Sequence, residues 1–140
     1  DPEMSRGLGD VYKRQMYSNA NPVPMYLQIG TCDNNQWPFK EDVLNGVNSW
    51  LKLDGCKEAI ASDDNILGFE ADEVYEEQID GTTYTFGDFN DEAGNNMVKF
   101  AAVEGLPHWV SPSYSAIAWE FMKSYSRSED GTLLKDGNPV

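Results

Sequence analysis

Residues 22–33 read PVPMYLQIGTCD and hold the clearest strand signal in the chain. A short apolar run rich in Val, Tyr, Leu and Ile, bounded by prolines and a glycine, is typical of a buried parallel strand, here residues 22–31. A polar turn that contains Asp33 follows at once. In open parallel sheets functional groups lie at the carboxyl ends of strands, so this stretch predicts both an architecture and the position of a site.

The next two segments predict a helix and an irregular region. Apolar residues near helical spacing predict a helix that starts at about residue 40 and stops near Gly55, with Asp42 as its cap or in its first turn. Residues 57–78 are acidic and weakly patterned, and we interpret them as a surface excursion.

Two further strands and a second helix complete the pattern. Residues 82–89 show the side-chain alternation of a strand, and residues 97–105 form a second strand-like run. The two strands should form an antiparallel hairpin or at least be neighbours. A loop with the only histidine of the chain, His108, comes next. Residues 113–126, SYSAIAWEFMKSYS, predict an amphipathic helix capped by Ser113.

The order of these segments predicts the fold class and the domain organisation. Strands that alternate with helices favour the α/β class, an open, mostly parallel sheet with helices on both faces, here over residues 16–127. Residues 128–140 are polar and predict a loosely ordered tail. Residues 1–15, DPEMSRGLGDVYKRQ, lack any apolar period and resemble the translated adapter sequence that recurs at the ends of assembled metagenomic reads. The alternative interpretation is an ordinary disordered leader. Under either interpretation we exclude these residues from the fold.

Composition excludes several classes of partner. The chain of 140 residues is long enough for one domain, and its formal net charge is -14, from 24 acidic and 10 basic residues. A surface this acidic repels phosphate backbones and anionic lipid, so we expect neither nucleic acid nor a membrane as partner. Cys32 and Cys56 are too few for a disulfide scaffold or a structural zinc site, although they could form one bridge. We therefore expect no metal and no cofactor.

Asp33 and His108 each follow a predicted strand, which suggests that they act together. An aspartate that accepts a hydrogen bond from an imidazole fixes its tautomer and stabilises the imidazolium formed when the histidine takes a proton. Such a histidine serves as general base toward a serine and later as general acid toward the leaving group. We predict that the two side chains lie within hydrogen-bonding distance.

The serine that would complete a triad does not follow the expected pattern. In hydrolases whose triad runs Ser, Asp, His along the chain, the serine lies in a G-x-S-x-G turn, and this sequence contains no such motif. Ser18, in YSNANP, is the only serine between residues 15 and 33. We therefore expect the nucleophile to lie upstream of the sequence, and this chain by itself to be inactive.

Residues 22–127 contain four short motifs whose order resembles the C-terminal part of the polyhydroxybutyrate depolymerase-like esterases. This group of α/β-hydrolases includes feruloyl and acetylxylan esterases, so the resemblance implies the C-terminal part of an α/β-hydrolase sheet. The stretch IGTCD matches the family's G-T-x-D turn, which would make Asp33 the catalytic acid. Trp50, Gly55 and Cys56 match a W-x(n)-G-C helix end, and GLPHW matches a G-x-x-H-W motif, which would make His108 the catalytic base. The segment AIAWEFMKSY matches a final amphipathic helix.

The resemblance implies a serine esterase that acts on a small ester or an esterified polysaccharide and is secreted or periplasmic. The sequence departs from the family at Ile29, where members usually carry a histidine, and in residues 82–89, which lack the usual partner of Cys56. Prolyl-oligopeptidase-type peptidases share the same Asp and His positions, so a peptidase is an alternative function.

Two tryptophans beside the predicted loops are candidates for substrate binding. Trp37 and Trp109 could line an acyl or sugar pocket, because an indole ring offers a broad stacking face, although core packing explains either one equally well. A non-catalytic polysaccharide-binding module that uses exposed aromatic residues is therefore a further alternative. The acidic stretch ADEVYEEQID lacks the ligand spacing of a calcium loop and is typical of a solvated face.

Overall fold

Four strands form the main sheet of the computed structural model, which describes residues 22–140. The strands are β1 Met25–Gly30, β2 Glu73–Ile79, β3 Thr82–Asn90 and β4 Asn96–Val103. Their spatial order is β1-β4-β3-β2, with β1 parallel to β4 and the other two pairs antiparallel. The predicted first strand and the predicted antiparallel pair are confirmed. The leader, residues 1–15, and residues 16–21 lie outside the described part of the chain.

Two helices and a small second sheet make up the rest of the regular structure within the described residues. Helix α1 spans Lys40–Leu53 and α2 spans Tyr114–Met122, as the two periodic segments predict. The second sheet contains β5 Tyr125–Arg127, β6 Leu133–Lys135 and β7 Asn138–Pro139, all antiparallel.

The predicted fold class is wrong. The described chain is mostly β: one strand pair of the main sheet is parallel, and the helices have 14 and 9 residues. It is not an open, mostly parallel α/β-hydrolase sheet with helices on both faces. The physical reason lies in the connections, since only Asp80 and Gly81 join β2 to β3 and only residues 91–95 join β3 to β4. Connections this short reverse the chain, whereas a parallel pair needs a crossover of a dozen residues or more.

Apolar side chains pack on both faces of the main sheet. Phe100 belongs to one buried cluster and its neighbour Ala101 to another, and because successive strand residues point to opposite faces, the two clusters lie on opposite sides. Helix α1 adds Leu51 to the first cluster, and α2 adds Phe121 to the second. The sheet is therefore the layer on which both helices are held.

The segment interpreted as a surface excursion, residues 57–78, contributes to the core. Leu67 and Phe69 are fully buried against the first cluster, and the last part of the segment forms most of β2. Gly87 in β3 makes room for this packing, because a Cβ there would lie 2.9 Å from a methyl group of Leu67. A glycine in the strand thus allows an irregular segment to cover the sheet.

The polar tail, residues 128–140, is more ordered than the sequence predicts. Leu133 in β6 is buried in the first cluster, and β6 pairs with both β5 and β7. The guanidinium of Arg127 donates hydrogen bonds to the carbonyls of Gly131 and Pro22. These contacts fix the tail against the start of the described chain.

Both predicted helix starts and the predicted end of α1 agree with the structure, but α2 ends at Met122, and residues 125–126 of the predicted helix belong to β5. Ser113 is the N-cap residue of α2, yet its hydroxyl donates to Asp80 Oδ2 at 2.8 Å and not to the helix. Asp42 lies in the first turn of α1, and Gly55 follows the end of that helix with φ +71°. Cys32 and Cys56 are both free thiols, so the single bridge that the sequence allows is absent.

Asp54, the C-cap residue of α1, is a buried carboxylate. Its Oδ1 accepts the backbone N–H of Val23 at 2.7 Å, whereas its Oδ2 is buried without a partner among residues 22–140. Burial raises the pKa of Asp54 to about 7, although the N–H of Val23 and the charge of Arg127 partly oppose this shift. The ionised form also lies at a helix C-terminus, where a negative charge is unfavourable.

We predict that Asp54→Asn makes the protein more stable at alkaline pH. A carboxyl whose pKa is raised on folding favours the folded state while it is protonated. This stabilisation is complete below the unfolded pKa of about 4, and it is lost as the pH rises through about 7. The variant should therefore exceed the original protein in free energy of unfolding at pH 8, by on the order of 1 kcal/mol after solvent screening, and match it near pH 4. Urea unfolding at both pH values measures this, and an equal pH dependence of the two proteins would contradict it.

Candidate active site

The loops after β1 and β4 are joined to each other by hydrogen bonds. Because the two strands are parallel neighbours, their carboxyl ends meet at one edge of the sheet. The N–H of Thr31 donates to the carbonyl of Val103 and the N–H of Cys32 to that of Leu106, each at 3.0 Å. The N–H of Gly105 donates to the hydroxyl of Thr31 at 2.8 Å. The two loops therefore hold a fixed mutual position.

Gly30 permits this close approach. A Cβ built on Gly30 would lie 1.9 Å from the carbonyl oxygen of Leu106 and 2.8 Å from its Cβ. No side chain fits at such distances, since a backbone carbonyl cannot move aside cheaply. The glycine at the end of β1 is therefore a requirement for bringing the two loops together.

Asp33 and His108 make the side-chain contact that the sequence predicts. His108 Nδ1 and Asp33 Oδ2 are 2.7 Å apart, across 75 positions of sequence. The Asp33 side chain is 4% exposed and that of His108 is 60% exposed, so the pair has a buried acid and an accessible ring. The predicted hydrogen bond is confirmed, while the catalytic roles of the two residues stay a prediction.

Backbone groups hold the Asp33 carboxylate in place. Its Oδ1 accepts the N–H groups of Asn35 at 2.9 Å and Gln36 at 3.2 Å, which leaves Oδ2 for His108. Burial raises the pKa of Asp33, but the hydrogen bonds from His108, Asn35 and Gln36 outweigh it, and the net pKa is below the ordinary value. The carboxyl is therefore ionised at neutral pH and acts as an acceptor.

The ionised acid determines what the imidazole can do. Because a carboxylate only accepts hydrogen bonds, Nδ1 of His108 must carry the proton between them. In the neutral ring Nε2 then has a free lone pair. Among residues 22–140 the hydrogen bond to Asp33 is the one that the His108 side chain makes, so Nε2 is available to a molecule from outside this part of the chain. An imidazole so oriented can take a proton from a hydroxyl group or from water.

Of the two tryptophans predicted to bind substrate, one lies beside this pair. Trp109 is 79% exposed and lines a cavity of about 440 Å³ together with Asp33 and His108. Trp37 is half-buried against the first apolar cluster, and the ammonium group of Lys40 lies over its ring. The structure therefore brings Trp109 to the cavity and uses Trp37 for packing.

Two glutamines that the sequence reasoning did not select also line this cavity. Gln28 is in β1 and Gln36 is in the turn after Asp33. The Gln28 amide donates to the hydroxyl of Ser111 at 3.0 Å and accepts a hydrogen bond from the Tyr26 hydroxyl at 2.7 Å. The sequence held one sign of this position, because Gln28 is a polar residue inside an otherwise apolar strand.

Among residues 22–140 no group of three His, Cys, Asp or Glu side chains could hold a metal ion, and no helix is long and apolar enough to cross a membrane. Neither a scan against protein-family models nor a search of the curated proteins finds a match for the chain.

We predict that Gly30→Ala separates the two loops. The new methyl group would meet the carbonyl of Leu106, so the variant should lose the hydrogen bond between Asp33 and His108 and roughly 1–3 kcal/mol of stability. Since His108 is the only histidine, its imidazole NMR signals report on the pair directly.

A matched control is Gly46→Ala, because a Cβ there meets nothing within 4 Å. It replaces a glycine within α1, so it should leave the His108 signals unchanged and add up to about 1 kcal/mol of stability. Unchanged His108 signals and unchanged stability in Gly30→Ala would show that the close approach is not a constraint.

Proposed function

We propose that the protein is a carboxylic-ester hydrolase of the serine type, in which Asp33 and His108 are the acid and the base of a Ser-His-Asp triad. The observation that carries the proposal is the hydrogen bond of 2.7 Å from an exposed imidazole to a buried carboxylate. A histidine placed only for packing has no need of an ionised acid on Nδ1 and an open Nε2. The order of Asp before His and the motifs IGTCD and GLPHW support an esterase.

The chemistry divides between the two residues. Nε2 of His108 takes the proton from the attacking hydroxyl, and Asp33 stabilises the imidazolium that results. The same ring then gives the proton to the leaving alcohol of the ester. The backbone N–H groups of Asn35 and Gln36 keep the acid ionised against the opposing effect of burial, and they hold it in place throughout.

The proposal assigns the nucleophile to a serine outside residues 22–140. In this part of the chain no hydroxyl group is hydrogen-bonded to His108. We assign that serine to a segment upstream of the sequence, because the sequence contains no G-x-S-x-G motif. The substrate would be a small ester or an esterified polysaccharide. Trp109, exposed beside the pair, would contact that substrate.

The test is hydrolysis of p-nitrophenyl acetate by this chain and by the protein encoded when the reading frame is extended upstream. We expect no turnover above the buffer rate from the chain alone, because base and nucleophile act as a unit. In the extended protein, His108→Ala should lower kcat about a thousandfold or more. Asp33→Asn should lower kcat by a smaller factor, since the imidazole remains but loses its orienting acceptor.

Two results would contradict the proposal. One is turnover by the purified chain that survives His108→Ala, and the other is an extended protein with no His108-dependent hydrolysis of esters. A p-nitroanilide amide measured in parallel separates an esterase from a peptidase, since the same pair serves either reaction. Ser126→Ala, an exposed hydroxyl in β5, is the matched control and should leave turnover unchanged.

A further inference from the structure

An apolar trough runs from the His108 cavity between α1 and the edge strand β1. The inner part is a cavity of about 400 Å³, and the outer part is the cavity of about 440 Å³ that holds Asp33 and His108. Gln28, Ile29 and Gln36 line both parts, so the two adjoin each other. A molecule bound near His108 can therefore extend along β1 without leaving the protein surface.

The walls of the inner part are mainly apolar. Leu27 and Ile29 of β1 face Val43, Val47 and Trp50 of α1 across it. Phe39, which also lines this part, is 55% exposed, which is unusual for a phenylalanine that serves only for packing. Binding an apolar group to such a surface removes that group from water, which lowers the free energy.

The charge of the trough limits what it can hold. Among the described residues that line the inner part, Asp42 is the one charged side chain, and it is negative. An anionic ligand, such as a free fatty acid with its carboxylate inside, would be repelled. A neutral apolar chain, attached to an ester group that stays near His108, meets no such penalty.

We propose that this trough binds the acyl group of the ester substrate, as an extended apolar chain that runs along β1 from His108 toward Trp50. The inference rests on the proposed function for the position of the ester group. Leu27 and Gly30 are separated by about 10 Å, at about 3.3 Å per strand residue, so the trough favours medium-length acyl chains over acetyl. Selectivity for the acyl group then comes from α1 and β1.

Gly46 of α1 offers a direct way to fill the trough. It lines the inner part, and a Cβ on it would meet nothing within 4 Å. Gly46→Leu therefore places a side chain in the space assigned to the acyl group. The change should not unfold α1, since leucine favours a helix more than glycine does. Asn45→Leu adds the same side chain at the exposed adjacent position, which does not line the trough, and is the matched control.

The experiment measures binding, so it needs no nucleophile. Methyl octanoate and methyl acetate are titrated into the chain while the indole N–H signals are followed by NMR. Trp50 and Trp109 line the trough, whereas Trp119 is exposed on α2 and serves as internal reference. We expect saturable shifts of the Trp50 and Trp109 signals, and a Kd for methyl octanoate at least about tenfold below that for methyl acetate. Gly46→Leu should raise the Kd for methyl octanoate about tenfold or more, and Asn45→Leu should leave it unchanged.

Several outcomes would overturn the proposal. These are equal affinity for the two esters, unchanged affinity in Gly46→Leu, or a Trp119 shift as large as that of Trp50. Concentration-dependent dimerisation that Gly46→Leu abolishes would show that a polypeptide, and not an acyl chain, fills the trough. Binding with no His108-dependent turnover in the extended protein would contradict the proposed function alone, and turnover with no binding would contradict this inference alone.

Discussion

The contact between Gly30 and the carbonyl of Leu106 is the constraint on which the candidate site depends. Parallel pairing brings the ends of β1 and β4 to the same edge of the sheet, but pairing alone does not determine how closely the following loops approach. The absence of a side chain at Gly30 lets the loop after β4 cross directly over the end of β1. Hydrogen bonds from Thr31 and Cys32 then fix the two loops to each other.

The electrostatics of the pair follow from that backbone arrangement. Asp33 lies in a tight turn whose N–H groups point at its carboxylate, so the charge is stabilised before His108 adds its own hydrogen bond. Asp54 is the contrasting case, since within the described part of the chain it has one backbone donor and a buried oxygen without a partner. Burial raises the pKa of Asp54, whereas in Asp33 the hydrogen bonds overcome burial. The number of donors around each carboxylate accounts for the opposite directions.

Local sequence patterns were sufficient for the elements that surround the pair. The apolar run of β1, the alternation of β3 and the helical periodicity of α1 and α2 each depend on neighbouring residues, and the structure has all four. Strand β2 escaped detection because it is an edge strand with glutamates exposed along it, so it lacks the apolar alternation of a half-buried strand. Leu67 and Phe69 were not recognised as core residues, because the short apolar stretch at residues 66–69 of an acidic segment is too brief to show a period.

The sequence by itself determined that an acid and a histidine each follow a strand, and that a glycine, Gly30, ends the first of these strands. Only the tertiary structure decided that β1 and β4 are parallel neighbours in a mostly antiparallel sheet, that Trp109 and not Trp37 reaches the cavity, and that β6 joins the core. The physical reason is that strand order and side-chain burial depend on contacts between residues far apart in the chain. A local pattern states which face of a segment is apolar, but not which segment will cover that face.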